Sequence, residues 1–142
     1  MKEANDLQRF LSAQEGAYRR ALSEIEAGRK QSHWMWFIFP QLRGLGRSET
    51  AQHYSIEDKR EAEAYLRHPV LGARLVTISQ ALLDAKSSDA YAIFGSPDDV
   101  KLKSSMTLFS VLQNTNPVFS LVLKKFFAGS KDAKTLALLG GD

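Results

Sequence analysis

The chain has 142 residues, of which 44% are hydrophobic and 25% are charged, and it contains no cysteine. This composition is ordinary for one folded domain, and it excludes disulfides, thiolate nucleophiles and cysteine-ligated zinc or iron–sulfur clusters. The net charge is only +3 and the basic pairs are spread along the sequence, so a solvated surface explains them better than a nucleic-acid-binding face.

The first segment predicts one amphipathic helix. Its apolar residues follow helical spacing from Leu7 to Ile25. Asn5 or Asp6 is expected to cap its start, and Gly28 suits its C-terminal end.

The next segment is almost wholly apolar. Residues 32–41 fit a buried strand or a buried helix, and we favour a short helix that begins near Ser32 and stops at Pro40. A loop follows, and Ser48 is expected to cap another short helix that ends near Tyr54.

Caps and prolines predict the elements of the second half of the chain. Ser55 offers a cap with Asp58 at the capping-box position, and Pro69 suits the first turn of a further helix. Ser96 and Pro97 form a strong start for a helix that continues to about Asn114. The other expected helical segments are residues 89–94, 117–128 and 131–139.

No segment alternates with the period of a strand, and there is no internal repeat or linker. The sequence therefore predicts an all-α, compact single domain over residues 1–142. It would contain about seven mostly short helices and no substantial sheet, with frayed ends at about residues 1–5 and 140–142.

Residues 28–54 are the densest candidate site. Glycines allow a backbone to approach a ligand, arginines grip phosphate or carboxylate groups, and a tryptophan can stack on a ring. The alternative is that this segment has only structural roles: the loop is a tight connection, Ser48 is a helix cap, and the tryptophans belong to the core. No Rossmann or Walker A pattern is present. The candidate ligand-binding residues here are Trp34, Trp36, Gln41, Arg43, Gly44, Gly46, Arg47, Ser48 and Tyr54, and His33 is the candidate acid or base.

A second candidate cluster lies in the segment DDVKLKSSMTLF, residues 98–109. Hydroxyl side chains inside a helix must bond back to the helix, bond to another segment or face a polar cavity. Close helix packing is the simpler explanation of these small residues. The order Lys-x-x-Ser also reverses the Ser-x-x-Lys signature of penicillin-recognising enzymes. The candidate ligand-binding residues here are Asp98, Lys101, Ser104, Ser105 and Thr107.

The histidines show no metal-ligand spacing, so we expect no metal and no cofactor. The N-terminal segment contains acidic side chains and no apolar run, and the longest apolar run, residues 34–40, is far shorter than the roughly 20 residues of a membrane-spanning helix. These features predict a cytoplasmic protein with no membrane partner.

Both clusters resemble the hallmarks of a bacterial family, domain of unknown function 1810. The resembling stretches are HWMWFIFPQ with GLG and Ser48, and Asp98 with Lys101 and SSMTLF; Tyr54, Glu61-Ala62, Tyr65-Leu66 and His68-Pro69 also fit. The resemblance covers about residues 7–139 and implies a mainly helical single domain, with no established activity. Some members carry a calpastatin label, but calpastatins are long disordered chains, unlike this one.

We therefore expect a small anionic ligand, a nucleotide or a phosphorylated metabolite, in a cleft where the two motifs converge. This requires the motifs to meet although about 70 residues separate them. The alternatives are a nucleic-acid-binding module, with its basic pairs on one surface, and a protein-interaction module with an exposed aromatic patch. The oligomeric state is left open.

Overall fold

The computed structural model describes residues 7–140. The expected caps at Asn5 and Asp6, and the expected frayed residues 1–5, 141 and 142, lie outside this range. The described residues form ten α-helices: α1 (Gln8–Gln14), α2 (Tyr18–Glu26), α3 (Met35–Ile38), α4 (Glu49–His53), α5 (Lys59–Arg67), α6 (Leu71–Asp84), α7 (Ala90–Phe94), α8 (Asp98–Ser110), α9 (Val118–Phe127) and α10 (Ala133–Leu138).

The fold class is all-α, as predicted. Within residues 7–140 the β pairing is one isolated parallel bridge between Leu42 and Ile56. The prediction of about seven helices was too low, because the first helix divides in two and each short segment that was predicted as helical, including α3, α4 and α7, forms a separate helix.

The break between α1 and α2 falls at Gly16, which has a φ of 86°. This left-handed conformation is favourable for glycine and interrupts the helix, although the apolar spacing continues across it. The prediction of one helix from Leu7 to Ile25 was therefore wrong in its continuity. Its end was right, since α2 stops at Glu26 and Gly28 has a φ of 89°.

Local capping determines most of the other helix starts. The Ser48 hydroxyl accepts a hydrogen bond from the Ala51 amide, as expected. Asp58, and not Ser55, caps α5 by accepting from the Glu61 amide. Nδ1 of His68 accepts hydrogen bonds from two amides at the start of α6.

The start and end of α8 also differ from the prediction. Pro97, and not Ser96, occupies the N-cap position, and no side chain caps this helix. The helix ends at Ser110, four residues before Asn114, which has a left-handed φ of 58°. A helix cannot continue through that conformation.

Two helices organise the packing. Helix α8 contacts α5, α7, α9 and α10, whereas α6 contacts α2, α5 and α9. The fully buried aromatic side chains of the core come from both halves of the chain; they are Phe10, Trp34, Phe39, Tyr65, Phe109 and Phe119. Trp34 and Phe39, on either side of α3, and Leu102 and Phe109 of α8 belong to the same core cluster, so both sequence motifs contribute to one core.

Candidate functional site

Trp34 is a core residue. Its side chain is 1% exposed, and its ring packs near those of Phe39 and Phe94, with centroids 6.2 and 6.3 Å away. Its indole Nε1 donates a hydrogen bond of 2.9 Å to Glu24 Oε1 on α2. A ligand therefore has no access to this ring, and the core alternative describes Trp34.

Glu24 anchors the beginning of the aromatic motif. Besides Trp34 Nε1, its carboxylate accepts bonds from the amides of Gln31 and Ser32 and from the Ser32 hydroxyl, at 2.6–3.0 Å. Burial raises the pKa of this carboxyl. The hydrogen bonds from Ser32, Gln31 and Trp34 outweigh that effect and lower the pKa from 4.5 to about 2. The exposed His33 therefore lies between Ser32 and Trp34, which are both hydrogen-bonded to Glu24.

Asp98 joins two lysines beside this anchor. Its Oδ2 lies 2.9 Å from the Lys30 ammonium, and its Oδ1 lies 3.5 Å from the Lys101 ammonium. The Lys30 side chain is only 8% exposed, and its Nζ also donates to the Ser32 carbonyl and lies 5.0 Å from the centroid of the Trp34 ring. Lys30 is therefore committed to the structure, whereas the Lys101 side chain is 25% exposed.

The two motifs meet at Trp36. The Lys101 ammonium lies 5.4 Å from the centroid of the Trp36 ring, within the range of a cation–π interaction. Trp36 is half-buried, so part of its ring remains accessible beside this cation.

Trp36 also lines a small cavity with three other predicted residues, Gln41, Gly46 and Tyr54. Its volume is about 10 Å³, which is enough for about one water molecule and far too small for a nucleotide. A Cβ added at Gly46 would lie 2.5 Å from the Ala51 Cβ. Close packing against α4 therefore explains this glycine without a ligand.

The arginine loop divides between two environments. Arg43 forms an ion pair of 2.9 Å with Glu57 and lines a different cavity, beside Leu138. Gly44 has a φ of 104° and also faces Leu138. Arg47 is exposed, and its guanidinium forms no ion pair or hydrogen bond with the part of the chain that the structure describes.

The hydroxyls of α8 have separate structural roles. The hydroxyls of Ser104 and Thr107 bond back to carbonyls one turn earlier, and Thr107 also accepts a bond from the Asp132 amide. The Ser105 hydroxyl is buried and has no hydrogen-bond partner among the described residues. Such a group is unusual, because nearly all buried polar groups are hydrogen-bonded.

The structure therefore brings Trp36, Gln41, Gly46, Tyr54 and Lys101 together and separates Arg43 and Gly44 from them. Sequence reasoning did not identify Glu24 or Lys30 as site residues, because the contacts that define their roles, from Glu24 to Ser32 and Trp34 and from Lys30 to Asp98, follow no local spacing rule. No group of three or more His, Asp or Glu side chains within residues 7–140 is arranged to hold a metal ion. No helix in that range is long and apolar enough to span a membrane.

These features define a small all-α protein in which an aromatic segment and a lysine- and serine-bearing helix meet at Trp36 and Lys101. The chain belongs to the family described as "Protein of unknown function (DUF1810)", whose sequence model matches residues 4–139. It is similar to the crystal structure of the conserved hypothetical protein Rv1873 from Mycobacterium tuberculosis, with 47% sequence identity and a TM-score of 0.93. That similarity covers 96% of this chain and 98% of the mycobacterial one. No curated protein matches the chain.

Proposed function

We propose that this protein binds a small anionic ligand, a nucleotide or a phosphorylated metabolite, on the surface where Trp36 meets Lys101. The contact between the Lys101 ammonium and the Trp36 ring carries this proposal, because it joins the two motifs that the family resemblance singles out. An ammonium group is a strong partner for phosphate or carboxylate oxygens. The accessible part of the indole offers a flat surface on which a ring can stack.

Lys101 suits this role better than Lys30. The Lys30 ammonium already has a short ion pair and a 2.6 Å bond to a carbonyl, and it is nearly buried. The Lys101 ammonium lies farther from Asp98 than the Lys30 ammonium does, at 3.5 Å against 2.9 Å. It forms no hydrogen bond with another acceptor among the described residues, so its N–H groups are available to a ligand. Asp98, held by Lys30, fixes Lys101 above the ring, so Asp98 is a positioning residue.

We also assign Arg47 and His33 to the proposed surface, because Arg47 follows the cavity residue Gly46 and His33 lies three residues before Trp36. Both side chains are exposed, and the Arg47 guanidinium has donors for a second anionic group. His33 is the candidate proton donor or acceptor for any reaction there. Because the adjacent cavity holds only about one water, the ligand would contact the outer edge of Trp36.

A test uses the thermal stability and tryptophan fluorescence of the protein with a panel of nucleotides, ADP-ribose, sugar phosphates and short oligonucleotides. We expect a selective rise in melting temperature and quenching of Trp36 fluorescence. Lys101→Ala and Arg47→Ala should weaken both effects, while each changes stability by no more than about 0.5 kcal/mol, as for surface positions.

Lys103→Ala is the matched control. Lys103 lies on the same helix, and its ammonium faces the Phe127 ring at 5.9 Å from the centroid, so its loss should leave binding unchanged. If Lys103→Ala and Lys101→Ala weaken binding equally, general surface charge and not this site attracts the ligand. If no panel member binds the wild-type protein, the small-ligand proposal fails.

The alternative of a nucleic-acid-binding surface has less support. It needs the basic pairs to face solvent together, but Lys30 is committed to Asp98. Lys125 is committed as well, because its ammonium donates to three carbonyls at the C-terminal end of α6. An oligonucleotide that binds with a steep salt dependence would nevertheless favour this alternative over the small ligand.

A further inference from the structure

One face of α6 lines two open cavities, of about 560 and 570 Å³. The two cavities share Val76 and Thr77, so they adjoin each other along this helix. We call this surface the α6 groove; its residues on α6 are the buried Gly72 and the exposed or half-buried Ala73, Val76, Thr77, Gln80, Ala81 and Asp84.

The shape of the α6 groove suits a helix. Positions 73 to 84 span about 16 Å at 1.5 Å per residue, or three turns. Small-molecule sites enclose most of their ligand, whereas this surface is open along its length. Small side chains with helical spacing allow a second helix to approach closely and place its own apolar residues between them.

The charge of the α6 groove selects the partner. Glu26 of α2 and Asp84 of α6 are exposed and line the same cavity, together with the apolar Leu22. Among the described residues, no Lys or Arg lines either cavity. The groove is therefore acidic at one end although the whole chain carries a net charge of +3.

We propose that the α6 groove docks an amphipathic helix of another protein, whose apolar face carries Lys or Arg residues at its border. The apolar residues would pack beside Leu22 and Val76, and the basic residues would pair with Glu26 and Asp84. This surface includes neither Trp36 nor Lys101, so it is independent of the proposed ligand site.

The test measures the binding of two labelled peptides of about 16 residues, which is long enough to form a helix when bound. Both carry Leu at positions i, i+3, i+4 and i+7; one carries Lys at the remaining positions and the other carries Glu. Fluorescence anisotropy gives the affinities, and backbone amide chemical shifts locate the contact. We expect the basic peptide to bind at least about tenfold more tightly and to shift amides of α2 and α6.

A pair of double variants separates the groove from general surface charge. Glu26→Lys with Asp84→Lys should weaken binding of the basic peptide at least about fivefold. Glu15→Lys with Glu49→Lys makes the same change of charge at exposed positions outside both cavities, and it should leave the affinity unchanged. Circular dichroism checks that both variants remain folded.

Three results would overturn the proposal. Equal affinity for the basic and acidic peptides would remove the charge selection. Equal losses in the two double variants, or amide shifts confined to residues that line neither cavity, would place the contact elsewhere. Self-association of the wild-type protein through amides of the same face would make a second copy the occupant instead of a basic helix.

Discussion

Glu24 should contribute more to stability than its position near the surface indicates. Its Oε1 accepts three hydrogen bonds, from Gln31, Ser32 and Trp34, and its Oε2 accepts one from the Ser32 hydroxyl. Glu24→Gln removes the negative charge and replaces one acceptor oxygen by an NH₂ group. The Ser32 hydroxyl must then turn so that it accepts a hydrogen bond from this group instead of donating one.

The size of the effect follows from this count of bonds. A hydrogen bond to a charged group contributes roughly 1.5–3 kcal/mol, against roughly 0.5–1.5 for a neutral pair. The four bonds are not additive, and solvent screens a carboxylate near the surface. We therefore expect Glu24→Gln to lower the free energy of unfolding by about 2 kcal/mol, which corresponds to a decrease of roughly 4–8 °C in melting temperature.

The effect should depend on pH in a defined direction. The pKa of Glu24 is about 2 in the folded protein and 4.5 as its ordinary value. Ionised Glu24 therefore stabilises the fold fully above pH 4.5, and this contribution is lost as the pH falls towards 2. The difference between wild type and Glu24→Gln should be largest near neutral pH and shrink over that interval.

Urea unfolding of both proteins near pH 7 and near pH 3 measures this difference. Glu26→Gln is the control, because Glu26 lies on the same helix and is exposed. Two results would refute the assignment of Glu24 as the anchor of the aromatic motif. One is a Glu24→Gln variant as stable as the wild type at neutral pH, and the other is a difference in the free energy of unfolding that stays constant down to pH 2.

Three further substitutions test the packing and the hydrogen bonds by urea unfolding. Gly72→Ala should destabilise the protein by about 1–3 kcal/mol or more, because the new Cβ would lie 1.9 Å from the Leu66 carbonyl oxygen; wild-type stability would contradict this close helix approach. Ser105→Ala should not destabilise it, since the hydroxyl has no partner among the described residues; a loss above about 1 kcal/mol would show that the hydroxyl is bonded in solution. Lys125→Met should cost about 1–3 kcal/mol through the loss of bonds to the carbonyls of Leu82, Leu83 and Ala85 at the C-terminal end of α6, and an unchanged stability would refute that capping role.

The helix starts that sequence predicts correctly are those determined within a few residues. Ser48 and Asp89 cap α4 and α7 because a short polar side chain reaches the amides of the next turn. The break at Gly16 escaped prediction for the opposite reason. Apolar spacing continues through it, and the left-handed φ that ends α1 is a property of the fold as a whole.

The candidate site shows the same division between local and long-range determinants. Together, the two motifs supply most of the residues that meet at Trp36, and each motif was recognisable because it lies on one short stretch of chain. The contacts that align the two stretches join distant positions, as between Lys30 and Asp98, and follow no periodicity. Sequence reasoning named Arg43, Arg47 and Lys101 as partners for an anion; Arg43 pairs with Glu57, Arg47 is exposed, and the half-buried Lys101 is the cation beside the aromatic ring.

Helix α4 limits what the proposed site can accept. It forms one wall of the small cavity beside Trp36 through Ala51, which touches Gly46. The helix has five residues and none of them is buried, whereas α8 on the other side of the site is mostly buried. Few buried contacts give a segment low local stability, so α4 is the wall that opens at the smallest cost in free energy. A ligand group that enters this cavity, beyond the outer edge of Trp36, would therefore displace α4 and leave α8 in place, and the hydrogen exchange of the α4 amides would become faster on binding.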